Sequence, residues 1–242
     1  MADLALAAGL VGAQLLLYPI DDDVRAEVQG MRTAATDDVA RIAEPLGRTH
    51  LWLAASAGTF LVGKLAREDR AADLGLHVFF SVAAAQAVTG ALKGVAGRWR
   101  PRVERGDTIV LFHDPYGWRL FAGVDDDGRR AYPSGHASAA FAAATALSEE
   151  LGGAAPWIAY PIATVVAWSR VHDDKHWASD VTMGALVGIF SARAVVRYGH
   201  RRGGPLERWL LLEVDAANGR SFFGLRAPVG SAPTRFGTAV AQ

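Results

Sequence analysis

Residues 133–147 read PSGHASAAFAAATAL, and they predict the start and the body of a buried helix. Ser134 precedes a run dominated by alanine, and serine is a preferred N-cap because its side chain accepts a hydrogen bond from an amide of the first turn. Gly135 lets the backbone approach a bound group closely, and the free amides of a helix start attract anions. His136 would lie against such an anion, where it could donate a proton. A capping serine followed by an incidental histidine explains this tetrapeptide equally well.

Apolar segments of the same kind lie on both sides of this run. They are rich in alanine and leucine and lack the two-residue alternation that a sheet requires, so they predict an all-α fold, a helical bundle. In chain order the segments are Leu4–Ile20, Leu51–Ala66, Leu74–Val95, Ala137–Leu147, Ile158–Trp168 and Val181–Val196. Residues 22–46 mix charges with apolar residues three to four apart, which is typical of surface helices.

The same segments would also suit a protein that spans a membrane. A helix that crosses lipid needs about 20 consecutive apolar residues, whereas charges such as Lys64 and Arg193 interrupt the segments. We therefore favour helices buried in protein slightly, and both an integral membrane protein and a soluble periplasmic protein stay open. The first segment has Asp3 where a secretory signal carries Lys or Arg. We interpret it as a core helix, with a signal peptide or an anchor as the alternative.

The composition excludes several classes of protein. The chain has 242 residues, of which 51% are hydrophobic and 21% charged, which excludes a disordered chain and fits one or at most two domains. Lys plus Arg equal Asp plus Glu at 25 each, so there is no overall basic field and we expect no nucleic-acid partner. The absence of cysteine excludes disulfides, thiolate metal sites and a cysteine nucleophile.

We divide the chain into three parts. Residues 1–50 are expected to form an N-terminal helical segment, residues 51–198 the catalytic helical domain and residues 199–242 a tail. In the tail, Trp209–Val214 and Arg220–Arg226, joined through Asn218-Gly219, predict a short β-hairpin. Within the middle part, Arg102–Tyr132 is predicted to be a long loop between helices, and long ordered loops often carry function.

Two cations are predicted to share a face at the end of the Leu74–Val95 helix. Lys93 and Arg100 are seven residues apart, nearly two helical turns, so their side chains project in the same direction. Pro101 disfavours helical geometry at Arg100, which ends the helix there. The result is either two cations aimed together near a helix end or a solvated basic terminus.

Residues 169–180 read SRVHDDKHWASD and hold the densest group of chemically active side chains. If the segment from His176 is helical, His176 and Asp180 share a face, and the carboxylate can accept from one ring nitrogen and fix the tautomer. The other ring nitrogen is then free to act as a nucleophile or base. Arg170 adds donors suited to phosphate oxygens, while His172 is expected at the rim of the pocket or in solvent. A polar turn with exposed charges is the alternative.

Taken together and in this order, the three groups resemble the tripartite signature of the type 2 phosphatidic acid phosphatase and vanadium haloperoxidase superfamily. The chain has Lys-x6-Arg-Pro from Lys93, Pro-Ser-Gly-His at 133–136 and Ser-Arg-x5-His-x3-Asp from Ser169, and it matches the signature at every position. The resemblance covers roughly residues 51–196. It implies an all-helical core in which the three motifs meet at one phosphate pocket, with no metal and no cofactor.

The resemblance also implies a role for each residue of the signature. His176 would be the nucleophile that forms a phosphohistidine, Asp180 would orient it, and His136 would protonate the leaving alkoxide and then activate water. The expected phosphate-binding residues are Lys93, Arg100, Ser134, Gly135 and Arg170. Charge in phosphoryl transfer spreads over three equatorial oxygens, so cations and amide donors are the groups that the reaction needs.

The implied function is a metal-independent phosphomonoesterase whose active site faces the extracytoplasmic side of the cell envelope. General hydrophobicity, and aromatic residues able to form an apolar lip in the long loop, favour a lipid or isoprenoid phosphate over a small soluble ester. These aromatic residues are Phe112, Tyr116, Trp118 and Phe121, and the interpretation that we favour for them is that they pack the loop onto the bundle. Two alternatives stay open. One is a vanadate-dependent haloperoxidase, because vanadate is a phosphate analogue; the other is a non-catalytic membrane or scaffold protein, which would have no need of the full catalytic set.

Overall fold

A computed structural model describes residues 8–9, 12–14, 16–105, 108–111, 117–201, 210–215 and 220–225. The α-helices whose bounds lie in these ranges are α1 (Asp21–Gly30), α2 (Ala34–Ala43), α3 (Thr49–Ala66), α4 (Asp69–Ala96), α5 (Gly135–Leu151), α6 (Ala155–His172) and α7 (Ala178–Arg201). Short 3-10 helices span Tyr18–Ile20, Glu44–Gly47 and Asp127–Arg129. The helical bundle expected from the sequence is confirmed, whereas most of the first apolar segment lies outside the described residues.

Two antiparallel strand pairs accompany the helices among the described residues. In the tail, β3 (Leu210–Asp215) pairs with β4 (Arg220–Leu225), which confirms the strands of the predicted hairpin; its turn lies outside the described residues. A second pair, β1 (Arg102–Arg105) and β2 (Thr108–Leu111), lies within the stretch predicted to be a loop. That prediction was wrong for these residues. The β-branched run from Thr108 to Val110 is a short strand signal, which the surrounding glycines and aspartates obscured.

Helix α5 is the centre of the bundle and packs against α4, α6 and α7. Small side chains let these helices approach closely. The main core cluster consists of Val78, Val82 and Ala85 from α4, Ala139, Ala142, Ala143 and Ala146 from α5, and Val187, Ala192 and Val196 from α7. Helix α3 packs on the outside of α4 through Phe60, Ala72 and Leu76. This arrangement brings the C-terminal end of α4 to the N-terminal ends of α5 and α7.

The N-terminal helices are not simply surface helices, as their mixed sequence had suggested. Helix α1 packs against α6 and α7, and Asp21 and Arg25 of α1 are buried. Burial of charge is costly unless the charge is paired. Arg25 pairs with Asp174 of the third-motif segment, and Asp21 pairs with Arg98 of the first motif, as shown below. The sequence pattern does not reveal these partners because they lie 149 and 77 residues away in the chain.

Within the described part of the chain, two helices are long and apolar enough to cross a membrane, judged by length and composition alone. They are α4 and most of α7, and roughly half of each apolar stretch is buried inside the bundle. Helix α6 runs through Pro161 without interruption and has Pro156 in its first turn, where proline is well tolerated.

Candidate active site

One cavity of about 280 Å³ collects most of the residues that the sequence motifs singled out. It lies where α4 ends and α5 and α7 begin, next to the C-terminal end of α6. Six of the eight predicted site residues line it, together with Lys175, which was not predicted; the lining residues are Lys93, Arg100, Gly135, His136, Arg170, Lys175 and His176. The other two predicted residues, Ser134 and Asp180, are fully buried.

His176 lies in the loop between α6 and α7, with its ring buried. Its Nδ1 lies 3.5 Å from Oδ2 of Asp180, which is within ion-pair distance, but this nitrogen has no hydrogen-bond partner. Oδ2 of Asp180 accepts instead from the backbone amide of Trp177 at 2.9 Å. Helix α7 begins only at Ala178, so His176 precedes the helix on which the sequence argument placed it. The two side chains are neighbours as predicted, but the expected hydrogen bond between Nδ1 and the carboxylate is not formed; Nε2 is the ring nitrogen left for the cavity.

The loop that carries His176 is tied back onto the end of α6. The carbonyl oxygen of Arg170 accepts from the backbone amides of Lys175 at 3.0 Å and His176 at 3.2 Å. Asp174 has a φ of 60°, a left-handed conformation that aspartate adopts more readily than most residues. Its carboxylate accepts hydrogen bonds of 2.5 and 2.8 Å from Arg25, and this pair is buried. Helix α1 therefore helps to fix the position of the histidine.

Asp180 is held from behind by a buried arginine, Arg98. The guanidinium donates through Nη1 to Oδ1 of Asp180 and through Nη2 to Oδ2 of Asp21, each at 2.6 Å, and none of the three side chains is exposed. Asp21 also accepts from the backbone amide of Ser179 at 2.8 Å and from the Ser179 hydroxyl. We call these three charged residues the Asp21–Arg98–Asp180 triad. One end of the triad lies beside His176.

Neither Arg98 nor Asp21 was predicted as a site residue. The only signal in the sequence is that Arg98 lies inside the first motif, two residues before Arg100; nothing in the pattern connects Asp21 with it. Aromatic rings surround the guanidinium of Arg98, with centroids 5.1 to 5.6 Å from its carbon, and belong to Tyr18, Trp118 and Trp177. Such rings favour a cation through their faces, so the triad is enclosed on several sides.

Ser134 caps α5 as predicted, because its hydroxyl accepts from the amide of Ala137 at 3.5 Å. Its own amide donates to the carbonyl oxygen of Asp180 at 2.9 Å, which ties the start of α5 to the start of α7. The hydroxyl is fully buried and does not line the cavity, so its contact with phosphate stays a prediction. Gly135 does line the cavity and begins α5, where the first amides have no partner within the helix.

His136 faces a glutamate that the sequence motifs do not include. Its Nε2 is 3.3 Å from Oε1 of Glu44, and Oε2 of the same carboxylate pairs with Arg48 at 2.9 Å. Gly47 follows in the same short helix, and a Cβ at this position would lie 2.6 Å from Cδ2 of His136. Only glycine allows this close approach. Glu44 is 92 residues from His136 in the chain, so no spacing pattern could have identified it.

The two histidines of the cavity both have lowered pKa values. Burial lowers the pKa of His176 well below its usual range, and the nearby Lys93 and Arg100 lower it further. Burial and Arg170 lower the pKa of His136 as well, while Glu44 opposes them. At neutral pH His176 is therefore a neutral imidazole, which is the nucleophilic form, and His136 is the easier of the two to protonate.

The expectation for His172 needs correction. His172 is buried, not at the rim or in solvent: its ring lies 4.7 Å from Trp168, and Nε2 is 3.3 Å from the Thr36 hydroxyl on α2. Trp118 packs on Arg98 and against Tyr132, which agrees with loop aromatics that pack the loop onto the bundle. Phe121 is exposed, while Phe112 and Tyr116 lie outside the described residues.

Comparison with curated proteins finds phosphatases among the relatives. The chain is 44% identical over 96 residues to a lipid A 1-phosphatase of Porphyromonas gingivalis, which covers 33% of this chain and 22% of that protein. It is 31% identical over 134 residues to lipid phosphate phosphatase 2 of Arabidopsis thaliana, covering 47% of this chain and 46% of the relative. The chain thus spans less than half the length of these two relatives.

Solved structures share the fold. LpxE of Aquifex aeolicus superposes with a TM-score of 0.54 at 19% identity, covering 74% of this chain and 96% of that one. A transmembrane PAP2 type phosphatidylglycerolphosphate phosphatase from Bacillus subtilis gives the same score at 20% identity, covering 81% and 96%. The profile of the PAP2 superfamily matches residues 74–203, more than half of the chain and all three motifs. The chain therefore belongs to the PAP2 superfamily.

Proposed function

We propose that the protein is a phosphomonoesterase that acts on a lipid phosphate through a phosphohistidine intermediate. One observation carries the proposal: a buried, neutral His176 faces a cavity lined by cations, with a carboxylate behind it and a second histidine on the cavity wall. A protein that only binds phosphate would need the cations but not the two histidines.

The proposed reaction has two steps. Nε2 of His176 attacks phosphorus and forms a P–N bond while the P–O bond to the leaving group breaks, and His136 gives its proton to the departing alkoxide oxygen. Water then attacks phosphorus, the P–N bond breaks and the imidazole of His176 is regenerated, while His136 takes a proton from the water. Asp180 balances the positive charge that His176 acquires during the first step.

The cations and amides would hold the nonbridging oxygens. Nε of Arg100 is buried without a hydrogen-bond partner, which leaves a donor for an anion. Nζ of Lys93 donates to the carbonyl oxygen of Arg130 at 2.5 Å, and Arg170 donates to Asp173 at 2.5 Å, so each is already oriented. Fixed cations of this kind stabilise charge on the transferring group. We propose that they fulfil the role of a metal ion, so that the reaction needs none.

The proposed lipid specificity rests on an apolar groove that adjoins the active site. The groove has a volume of about 270 Å³, and its lining includes Leu46, Ala140, Leu147, Ile158 and Ile162. Leu46 is two residues from Glu44, and Ala140 is one helical turn beyond His136. An acyl or isoprenoid chain in the groove would bury apolar surface while its phosphate reaches the cavity. The names of the curated relatives point to the same class of substrate.

We also propose that the protein is attached to a membrane of the cell envelope, with the active site on the extracytoplasmic side. Large apolar side chains are exposed on α3 and α6, the two helices that flank the groove; Leu65 and Trp157 are each 81% exposed. Exposed apolar surface of this extent is typical of membrane or protein contacts. The two apolar helices α4 and α7 are compatible with this placement.

We expect that Ile158→Arg lowers the ratio of activity on a long-chain phosphatidic acid to activity on p-nitrophenyl phosphate by at least about tenfold, because a charge in the groove opposes burial of the chain. Ile158 is 61% exposed, so the substitution does not disturb the core. The measurement is phosphate release from both substrates in mixed micelles. Val62→Arg, at a site on α3 that is 65% exposed and outside the groove, is the matched control. An unchanged ratio would argue against the groove as the chain site.

The pH profile tests the roles of the two histidines. His176 must be neutral and His136 protonated, so kcat/KM should fall as pH drops through the pKa of His176 and as pH rises through that of His136. Because both pKa values are lowered, the optimum should lie below pH 6.5. Glu44→Gln removes the charge that raises the pKa of His136, so the alkaline limb should move to lower pH. The acid limb should stay in place.

Glu68→Gln, an exposed glutamate at the start of α4, is the control for this change. If the alkaline limb of Glu44→Gln coincides with that of the wild-type enzyme, His136 is not the general acid.

Bromination with vanadate and peroxide, in the absence of phosphate release, would favour a haloperoxidase over a phosphatase.

A further inference from the structure

A second cluster of chemically active side chains lies at the opposite end of the bundle from the active site. It consists of His77 near the start of α4, Glu150 near the end of α5 and His200 near the end of α7. His77 is 16 residues from Lys93 along α4, which corresponds to about 24 Å at the rise of an α-helix. The cluster therefore cannot touch a substrate held by the three motifs.

The three side chains converge on one point. Nδ1 of His77 lies 2.6 Å from Oε1 of Glu150, and Nε2 of His200 lies 3.1 Å from the same oxygen. One donor atom from each residue lies within 4.8 Å of the others, and among the described residues this is the only group of three that meets that test. Tetrahedral zinc with bonds of about 2.0–2.1 Å spaces its donors about 3.3 Å apart. Small side-chain movements would bring these atoms to that spacing.

The packing around the cluster favours a built site over a chance meeting of surface residues. The His77 side chain is 3% exposed, and its Nε2 has no hydrogen-bond partner. A Cβ at position 199 would lie 2.3 Å from that nitrogen, so Gly199 is what allows the end of α7 to approach α4. His200, by contrast, is 57% exposed. The cluster thus has a rigid buried half and an open half, through which an ion and a water ligand can enter.

We propose that His77, Glu150 and His200 bind a divalent transition-metal ion, with zinc as the best match. Two imidazoles and one carboxylate are a common zinc ligand set, and imidazole donors favour zinc, copper and nickel over magnesium or calcium. The ion joins the ends of α4, α5 and α7, the three helices whose other ends form the active site. Its role is to stabilise the bundle. The phosphoryl-transfer chemistry does not use it.

Zinc binding by the purified full chain tests this proposal. The protein is first stripped with a chelator and then titrated with zinc against a chromophoric indicator, and its thermal unfolding is recorded with and without zinc. We expect one zinc per chain at this cluster and a rise in Tm of about 5 °C at saturating zinc. His200→Ala should weaken zinc binding at least about tenfold and abolish the rise in Tm. Because His200 is exposed, this variant should fold.

The control is His50→Ala, at an exposed histidine of α3 outside the cluster, which should bind zinc as the wild-type protein does. Glu150→Gln removes a different ligand of the proposed site and is an independent test of it. The proposal is overturned if the wild-type chain binds zinc no more tightly than His200→Ala does, or if zinc raises the Tm of all variants equally. In that case the cluster is a group of hydrogen-bonded side chains without a metal. None of these readouts depends on phosphatase activity.

Discussion

Replacing His176 by alanine should abolish phosphate release, lowering kcat by at least about 10⁴-fold, because the chain then lacks the atom that forms the bond to phosphorus. The protein should still fold. Nδ1 of His176 makes no hydrogen bond, so the substitution leaves no buried partner of that nitrogen unsatisfied. The measurement is turnover of p-nitrophenyl phosphate and phosphatidic acid, with thermal unfolding to confirm the fold.

His50→Ala is the matched control, since it removes an exposed histidine that does not line the cavity. If His176→Ala folded as the wild-type enzyme and retained more than about one hundredth of its activity, the nucleophile would have to be another group. His176→Gln, which preserves more of the side-chain volume, covers the case in which the alanine variant is too unstable to assay.

Replacing Arg98 by methionine should be the most damaging change to stability that leaves the signature residues intact. It leaves the carboxylates of Asp21 and Asp180 buried without their cation, and breaking a buried pair in this way costs about 3–5 kcal/mol. For a chain of this size we expect a fall in Tm of about 10 °C or more. Methionine fits the ring-lined space better than a smaller residue, so the effect reports mainly on charge.

A double-mutant cycle with Asp21→Asn separates pairing from packing. Removing one of the two unpaired carboxylates should restore part of the stability lost in Arg98→Met. The double variant should therefore lose less stability than the sum of the losses in the two single variants. The matched control pairs Arg98→Met with Asp22→Asn, at a partly exposed neighbour on α1. Strict additivity in the Asp21 cycle would show that the triad does not act as one ionic unit.

Asp21→Asn also tests whether the triad positions the reaction. The substitution keeps the shape of the side chain but weakens the support behind Asp180, so kcat should fall while KM stays near its wild-type value. A purely structural role would lower Tm without changing kcat of the folded enzyme.

Residues close together in the chain, or within one recurring spacing, were predictable. The serine cap of α5 and the tail hairpin rest on such local patterns, and the structure places them accordingly. Lys93 and Arg100 of the first motif both line the cavity, but the helical geometry predicted for them was wrong: α4 ends at Ala96, and Gly97 takes a left-handed conformation there, so Arg100 lies beyond the helix. His176 was found for the same reason, although helix α7 begins after it. His176 lies at the cavity and beside Asp180 as the spacing predicted, but the helical geometry invoked to explain that placement was wrong.

Residues that act across the fold were not predictable from the sequence. Glu44 approaches His136, Arg25 holds Asp174, and Asp21 joins Arg98, each across at least 77 residues of chain. The charged residues of the N-terminal helices look like those of any solvated surface helix until their buried partners are known. The same holds for the distal cluster of His77, Glu150 and His200, because its members lie on three separate helices. The N-terminal helices thus contribute directly to the active site.

Trapping of the phosphoenzyme tests the proposed function most directly. The enzyme is mixed with ³²P-labelled substrate, quenched within milliseconds and digested, and the label is mapped to a peptide. We predict an acid-labile, alkali-stable phosphate on His176, absent in His176→Ala and more abundant in His136→Ala when the leaving group needs no proton. Product formation without labelled enzyme, or the same label in His176→Ala, would contradict the mechanism.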